Sequence, residues 1–198
     1  MPPALILAST SRYRRELLRR LRCEFEVVAP DVDETALPGE APPAIAERLA
    51  QAKALAVARQ HPAAVVIGSD QVADLEGEAI GKPGNHANAA VQLRRMSGHE
   101  VVFHTAVAVA RADRGFMRSA CVPVRVRFRQ LDDEAIERYL LLEQPYDCAG
   151  SAKCETLGIA LLEAIHSDDP TALVGLPLIR TSALLREAGF DVLRWAKP

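Results

Sequence analysis

The chain has 198 residues, 49% of them hydrophobic and 25% charged, and a formal net charge of −2. That length suits one large domain or two small lobes, and the composition is that of an ordinary globular protein rather than a disordered or fibrous one. No apolar run reaches membrane-spanning length, and no basic stretch leads an apolar one as in a secretory leader. The near-neutral charge gives no general pull on nucleic acid. Cytoplasm is the expected compartment, with neither membrane nor nucleic acid as a partner.

The four cysteines, Cys23, Cys121, Cys148 and Cys154, show no CxxC spacing, which favours free thiols over a zinc site or a disulfide framework. Of the 24 basic residues only Lys53, Lys82, Lys153 and Lys197 are lysine. A chain that otherwise takes arginine marks with lysine the places where a compact, rotatable ammonium is wanted.

In chain order, Leu5–Ala8 reads as a short buried strand running into Ser9-Thr10-Ser11-Arg12-Tyr13-Arg14-Arg15 and a helix with Leu17, Leu18 and Leu21. Strand, hydroxyl-rich loop and helix start form an anion cradle, with Arg14 as a bidentate phosphate fork. The glycines and GK[ST] ending of a P-loop are missing. A capped amphipathic helix with solvated arginines is the plainer alternative.

Phe25–Val28 reads as a brief strand, followed by the acidic loop Pro30-Asp31-Val32-Asp33-Glu34-Thr35. Its carboxylates can hold a divalent cation or simply be solvated. Pro42-Pro43 open a long helix ending near His61-Pro62, with an expected apolar stripe of Ile45, Leu49, Ala52 and Ala56. Lys53 falls at the edge of that stripe, where it either snorkels to the rim or points into a cleft.

The stretch from Val65 to Pro83 is central. Ala63–Ile67 is short, apolar and β-branched, which suits a buried strand, with Asp70 expected just past its end. A carboxylate there lies in the crevice where open α/β sheets bind ligands. Asp74–Glu78 reads as a tight turn that returns the chain so that Lys82 faces Asp70. Either a metal-bound phosphate site or a plain ion pair follows from such an arrangement.

Beyond Lys82, Asn85 caps a helix with Val91, Leu93 and Met96, stopped by Ser97-Gly98. Strands over Val101–Ala110 and Cys121–Gln130 follow. The second alternates Val122, Val124, Val126 and Phe128 with Arg125, Arg127 and Arg129, a solvated sheet face in preference to a nucleic-acid stripe. Asp132 caps a helix through Ile136 and Leu140. A small-residue loop, Cys148–Gly158, carries Lys153 and Glu155; a strand over Ile159–Ile165, a turn at Asp168-Asp169-Pro170 and a final helix ended by Gly189 complete the chain. Early alternation of helices and strands, then clustered strands, gives an α/β class with a mixed sheet in two lobes around a cleft.

Taken together, LILASTSRYRRELL, PDVDET, Lys53 on its helix, IGSDQV, GKP, AGS…K.E…GI and VGLPL resemble the Maf family of nucleoside triphosphate pyrophosphatases over nearly the whole chain. The family pattern has Pro-Arg where this chain has Arg12-Tyr13, and commonly a threonine where it has Gln71. The Asp-Gln form with an aromatic at Tyr13 resembles the subgroup acting on 7-methyl-GTP rather than the one acting on dTTP and UTP. The resemblance implies one domain over 1–198: a curved mixed sheet flanked by helices, similar to inosine triphosphate pyrophosphatases, with the cleft between its lobes.

The implied reaction is cleavage of the α–β phosphoanhydride to a monophosphate and pyrophosphate, with a divalent cation, Mg²⁺ in the usual case, as house-cleaning of the nucleotide pool. Asp70 then corresponds to the proton acceptor and Glu34 to its acidic partner at the metal. Lys53 and Lys82, with Ser9, Ser11 and Arg14, correspond to the phosphate-binding set. Tyr13, Gln71 and Glu155 are the base-reading candidates, with a place on the buried helix face as the alternative for Tyr13 and a solvated loop position as the alternative for Glu155. A homodimer is the oligomer allowed for. The contrasting class is a non-catalytic nucleotide-binding regulator of cell division or septum formation.

Overall fold

The computed structural model describes residues 3–198. Strand β1 (Leu5–Ala8) is fully buried and lies between β2 (Glu26–Val28) and β3 (Val65–Leu75), parallel to both. From β3 the sheet continues antiparallel through β5 (Glu100–Arg111), β6 (Phe116–Phe128) and β7 (Leu162–His166), while β4 (Glu78–Ile80) pairs with the far end of β3. The result is an open seven-stranded mixed sheet in the order β2-β1-β3-β5-β6-β7, flanked by helices.

Alternation along β1 and β3 sends side chains to two different cores. Leu7 and Ile67 pack with Leu17 and Leu18 of α1 (Arg12–Arg19) and Leu185 of α5 (Leu178–Glu187). Ile6 and Val66 pack on the other face with Ala50, Ala54 and Val57 of α2 (Pro42–Gln60). A third core gathers Leu93 and Met96 of α3 (His86–Met96) with Ile136 and Leu140 of α4 (Asp133–Glu143), over Phe103, Val124 and Phe128 of the sheet. The long strands β3, β5 and β6 run from the first two cores into the third, and the cleft opens between them.

The expected caps Asn85 and Asp132 are present, and Ser11 caps α1 in the same way, each accepting a hydrogen bond from the backbone N–H three residues on. Other expectations are corrected. β3 does not stop at Ile67 but runs to Leu75, because nine of its residues find partners on β5, from Val66 to Asp74. Asp70 therefore sits inside a strand, not past its end. The buried stripe of α2 is Ile45, Ala46, Leu49, Ala50, Lys53, Ala54 and Val57; Ala52 and Ala56 lie beside it, so Lys53 is within the stripe.

Ile159–Ile165 is only half strand. Leu157–Leu161 forms a 3₁₀ segment, and β7 begins at Leu162. Gly189 does end α5, with φ +88°, but a short α6 (Val192–Trp195) capped by Asp191 follows it. Among the described residues no helix is long and apolar enough to cross a membrane.

Candidate active site

The cleft, about 720 Å³, is lined by the β1–α1 loop, Glu34, α2 at Lys53, the middle of β3, the exit of β4 and the segments around Asp147 and Gly175. A volume of that order suits a small-molecule ligand. Its centre is an acid–lysine–acid array. Lys53 Nζ lies 2.7 Å from Asp70 Oδ1 and 2.7 Å from Glu34 Oε1. The lysine and Asp70 are buried, whereas Glu34 is exposed.

Gly68 makes this approach possible. A Cβ there would stand 2.3 Å from Ala50 O and 2.5 Å from Ala54 N, both backbone atoms of α2. Helix and strand thus meet closely one turn from Lys53, two residues before Asp70. The partner that faces Asp70 is therefore Lys53. Lys82, expected in that place, is exposed on the β4 exit, and its charge is felt at Glu34 instead.

Partial desolvation at the cleft wall pushes the Glu34 carboxyl up, but the hydrogen bond and charge of Lys53, backed by Lys82 and Arg14, outweigh it and hold the group below its ordinary value. Burial pushes the Arg14 guanidinium down, with Asp70 and Glu34 opposing. Arg14 is anchored by Nε donating to Gly175 O at 2.9 Å. Its terminal nitrogens make no hydrogen bond among the described residues, which suits a fork awaiting an anion. Ser9 is buried, and its Oγ accepts from Ser11 N at 3.2 Å; Ser11 Oγ in turn caps α1 through Arg14 N at 3.4 Å.

Three connections escaped sequence reasoning. Ser69 Oγ donates to Gly175 O at 3.0 Å, so one carbonyl receives both Ser69 and Arg14. Gln71 Nε2 donates to Thr105 Oγ1 and to the carbonyls of Ala172 and Leu173 at 2.8–3.1 Å. Its amide nitrogen is thus turned onto the loop ahead of VGLPL. Gln92, on α3, donates to Gly81 O and accepts from the buried Ser151 hydroxyl, tying GKP to AGS. The motif VGLPL was visible in sequence, but nothing local announces that Gly175, at φ +119°, aims its carbonyl at β3 and α1.

Lys153 serves structure: its Nζ donates to Glu143 O at the end of α4, a favourable place for a cation, and a Cβ at Gly158 would strike its backbone. Tyr13 lines the cleft and is half-buried on the first turn of α1, its hydroxyl 3.4 Å from Asp147 Oδ2. Burial pushes that phenol up. Glu155 is exposed and also lines the cleft. Ser9, Ser11, Tyr13, Arg14, Glu34, Lys53, Asp70, Gln71, Lys82 and Glu155 therefore all border one cavity.

No group of three or more His, Cys, Asp or Glu residues able to hold a metal is present among the described residues. The two-carboxylate set of Asp70 and Glu34 still fits Mg²⁺, which takes one or two protein carboxylates and fills its shell with water and substrate phosphate.

The open mixed sheet with a charged cleft at the middle of β3 defines an α/β protein with a polar cleft. The family model for Maf-like proteins matches residues 4–188, and the chain belongs to the Maf family. A relative from Polaromonas sp. (strain JS666 / ATCC BAA-500), named 7-methyl-GTP pyrophosphatase, is 66% identical over 185 residues, 93% of this chain and 84% of that one. Proteins with the same name from Albidiferax ferrireducens and Bordetella pertussis are 62% and 58% identical, covering 96% and 98% of this chain and 95% and 96% of theirs.

Proposed function

We propose that this protein hydrolyses the α–β phosphoanhydride of 7-methyl-GTP, releasing 7-methyl-GMP and pyrophosphate. The observation that carries the reading is the array Asp70–Lys53–Glu34 in a cleft that continues to Tyr13 and Glu155. The names borne by the 58–66% identical relatives support the same substrate.

Phosphoryl chemistry is mostly positioning and charge neutralisation. Arg14, Lys82 and Lys53 set positive charge on three sides of the triphosphate, and Ser9 and Ser11 add hydroxyl and backbone donors at the helix start. Asp70 accepts a proton from the attacking water as its oxygen bonds to the α-phosphorus. The bond from that phosphorus to the bridging oxygen breaks, and pyrophosphate leaves with the electron pair. Lys53, hydrogen-bonded to Asp70 at 2.7 Å, orients its carboxylate for that proton transfer. Asp70 and Glu34 are the residues that would hold Mg²⁺; bound there, it supplies further neutralisation of the phosphate oxygens.

At the base end, Tyr13 offers an aromatic face to the positively charged ring, and Glu155 accepts from the guanine N1–H and N2 amino group. Gln71 acts from behind, holding the loop that positions Arg14. A reducing compartment, the cytoplasm, suits the four free thiols.

Pyrophosphate release from purified protein, with and without Mg²⁺, over 7-methyl-GTP, GTP, dTTP and UTP tests the reading. The highest kcat/KM is expected with 7-methyl-GTP. Preference for dTTP or UTP would move the assignment to the pyrimidine subgroup, and binding without turnover would make the protein a nucleotide-binding regulator.

A further inference from the structure

On the cleft wall, Arg12 and Tyr13 of α1 meet Asp147, on the segment before Cys148. The Arg12 guanidinium carbon lies 4.7 Å from the centroid of the Tyr13 ring. Its Nη2 donates to the Tyr13 hydroxyl at 2.6 Å and stands 3.6 Å from Asp147 Oδ2. The hydroxyl itself is 3.5 and 3.4 Å from the two Asp147 oxygens. An aromatic face with a carboxylate at its edge is a seat for a flat cation. In the free protein a flat, delocalised cation with N–H donors already sits in it.

A guanine methylated at N7 has the same description: planar, positively charged and edged with N–H groups. We propose that Arg12 occupies, in the free protein, the seat that the cationic base takes in the complex, and that Asp147 is the carboxylate that makes this seat selective for charge. The inference rests on the substrate reading above and adds two residues that lie outside its base-reading set.

Three observations favour displacement over a fixed clasp. The Arg12 and Asp147 side chains are 63% and 54% exposed, so their attraction is screened and readily broken. Arg12 touches only Tyr13 and Asp147 by hydrogen bond or ion pair among the described residues, so it can swing out without disturbing α1. The carboxylate, by contrast, is on a held segment. Tyr146 accepts from Gly84 N through its carbonyl, and its hydroxyl meets His86, which is itself paired with Glu137. The seat stays while its occupant moves.

The two residues then have separable effects. Arg12 competes with every base that enters the seat and sets how tightly a ligand must bind to open it. Asp147 decides which ligand gains, because a neutral guanine leaves the carboxylate without a counter-charge and a methylated one does not.

The test compares kcat and KM for 7-methyl-GTP and GTP in the wild type, Asp147→Asn, Asp147→Glu and Arg12→Ala. Asp147→Asn should cut the preference for 7-methyl-GTP about tenfold, through KM, and Asp147→Glu should restore most of it. Arg12→Ala should lower KM for 7-methyl-GTP about threefold or more, the competitor being gone. A wild-type preference that survives Asp147→Asn, or a KM for 7-methyl-GTP that rises in Arg12→Ala, overturns the seat while the substrate reading stands. A wild type with no preference for 7-methyl-GTP over GTP overturns the substrate reading, and the seat with it.

Discussion

Asp70 and Lys53 are a buried ion pair at 2.7 Å. Breaking a buried pair by removing one partner leaves a charge uncompensated. Here Glu34 is a second partner for the ammonium at 2.7 Å, so the isosteric change Asp70→Asn should leave the fold intact. Its expected effect is a fall in kcat of about 10²–10⁴, the usual worth of general-base assistance. Near wild-type turnover of the purified variant at saturating Mg²⁺, with an unchanged far-UV spectrum, would remove Asp70 from the chemistry. The other lysines separate in the same assay. Lys82, exposed in the cleft, should cost about tenfold or more in kcat/KM when changed to alanine. Lys197, paired with Glu24 on the surface, should cost nothing measurable. Equal losses at the two positions would end the argument that cleft lysines are phosphate ligands.

Two elements hold the array in register. The first is the contact of α2 with β3 at Gly68. Gly68→Ala places a methyl group against backbone atoms that cannot rotate away, so α2 has to shift. Overpacking of this kind typically costs about 1–3 kcal/mol. Because Lys53 travels with the helix, activity should fall by more than the lost stability explains, when assayed below the unfolding transition. A variant destabilised but fully active would show that the Lys53–Asp70 distance does not depend on this contact.

The second is the loop carrying Glu34. Glu40 accepts from Arg48 Nε and Nη2 at 2.6 and 2.7 Å and from Leu37 N at 3.0 Å, and Arg48 also reaches Thr35 O. The Arg48 hydrogen bonds, then the Leu37 N–H, lower the Glu40 carboxyl from 4.5 to about 2. A lowered folded-state value means that the contribution is full above about 4.5 and fades as pH falls towards about 2. Wild type should therefore lose urea resistance over that window more steeply than Glu40→Gln. Parallel midpoints for the two proteins would show the clamp to be without effect on stability.

At the scale of the whole molecule, β3, β5 and β6 contribute to all three cores, with nine β3–β5 and twelve β5–β6 partner pairs in unbroken register. Unravelling one core strips hydrogen bonds from strands that the other two share, so the three cores should unfold as one cooperative unit. Urea unfolding followed by the fluorescence of Trp195, packed on the α1–α5 core, should coincide with that followed by far-UV circular dichroism. A circular dichroism transition that precedes the tryptophan signal would mean that the core beneath α3 and α4 unfolds on its own.

Short-range physics made much of this legible in the sequence. Caps at Asn85 and Asp132, the proline start of α2, the Glu76-Gly77 turn and the alternation of β6 each depend on residues a few positions apart. The motifs that border the cleft could be picked out because anion cradles, lysines and carboxylates are chemically conspicuous. Partner choice was decided by the tertiary structure. Whether Asp70 meets Lys53 or Lys82 depends on a backbone approach at Gly68 that is set by α2 packing across the sheet. The length of β3 depends on β5, a strand still unread when β3 is met, and Gln71 turns to a loop about a hundred residues further on. The Arg12–Asp147 contact spans a similar gap in the chain. Long-range pairs of this kind are fixed by how separate cores seat against one sheet, and no local pattern of residues encodes that distance.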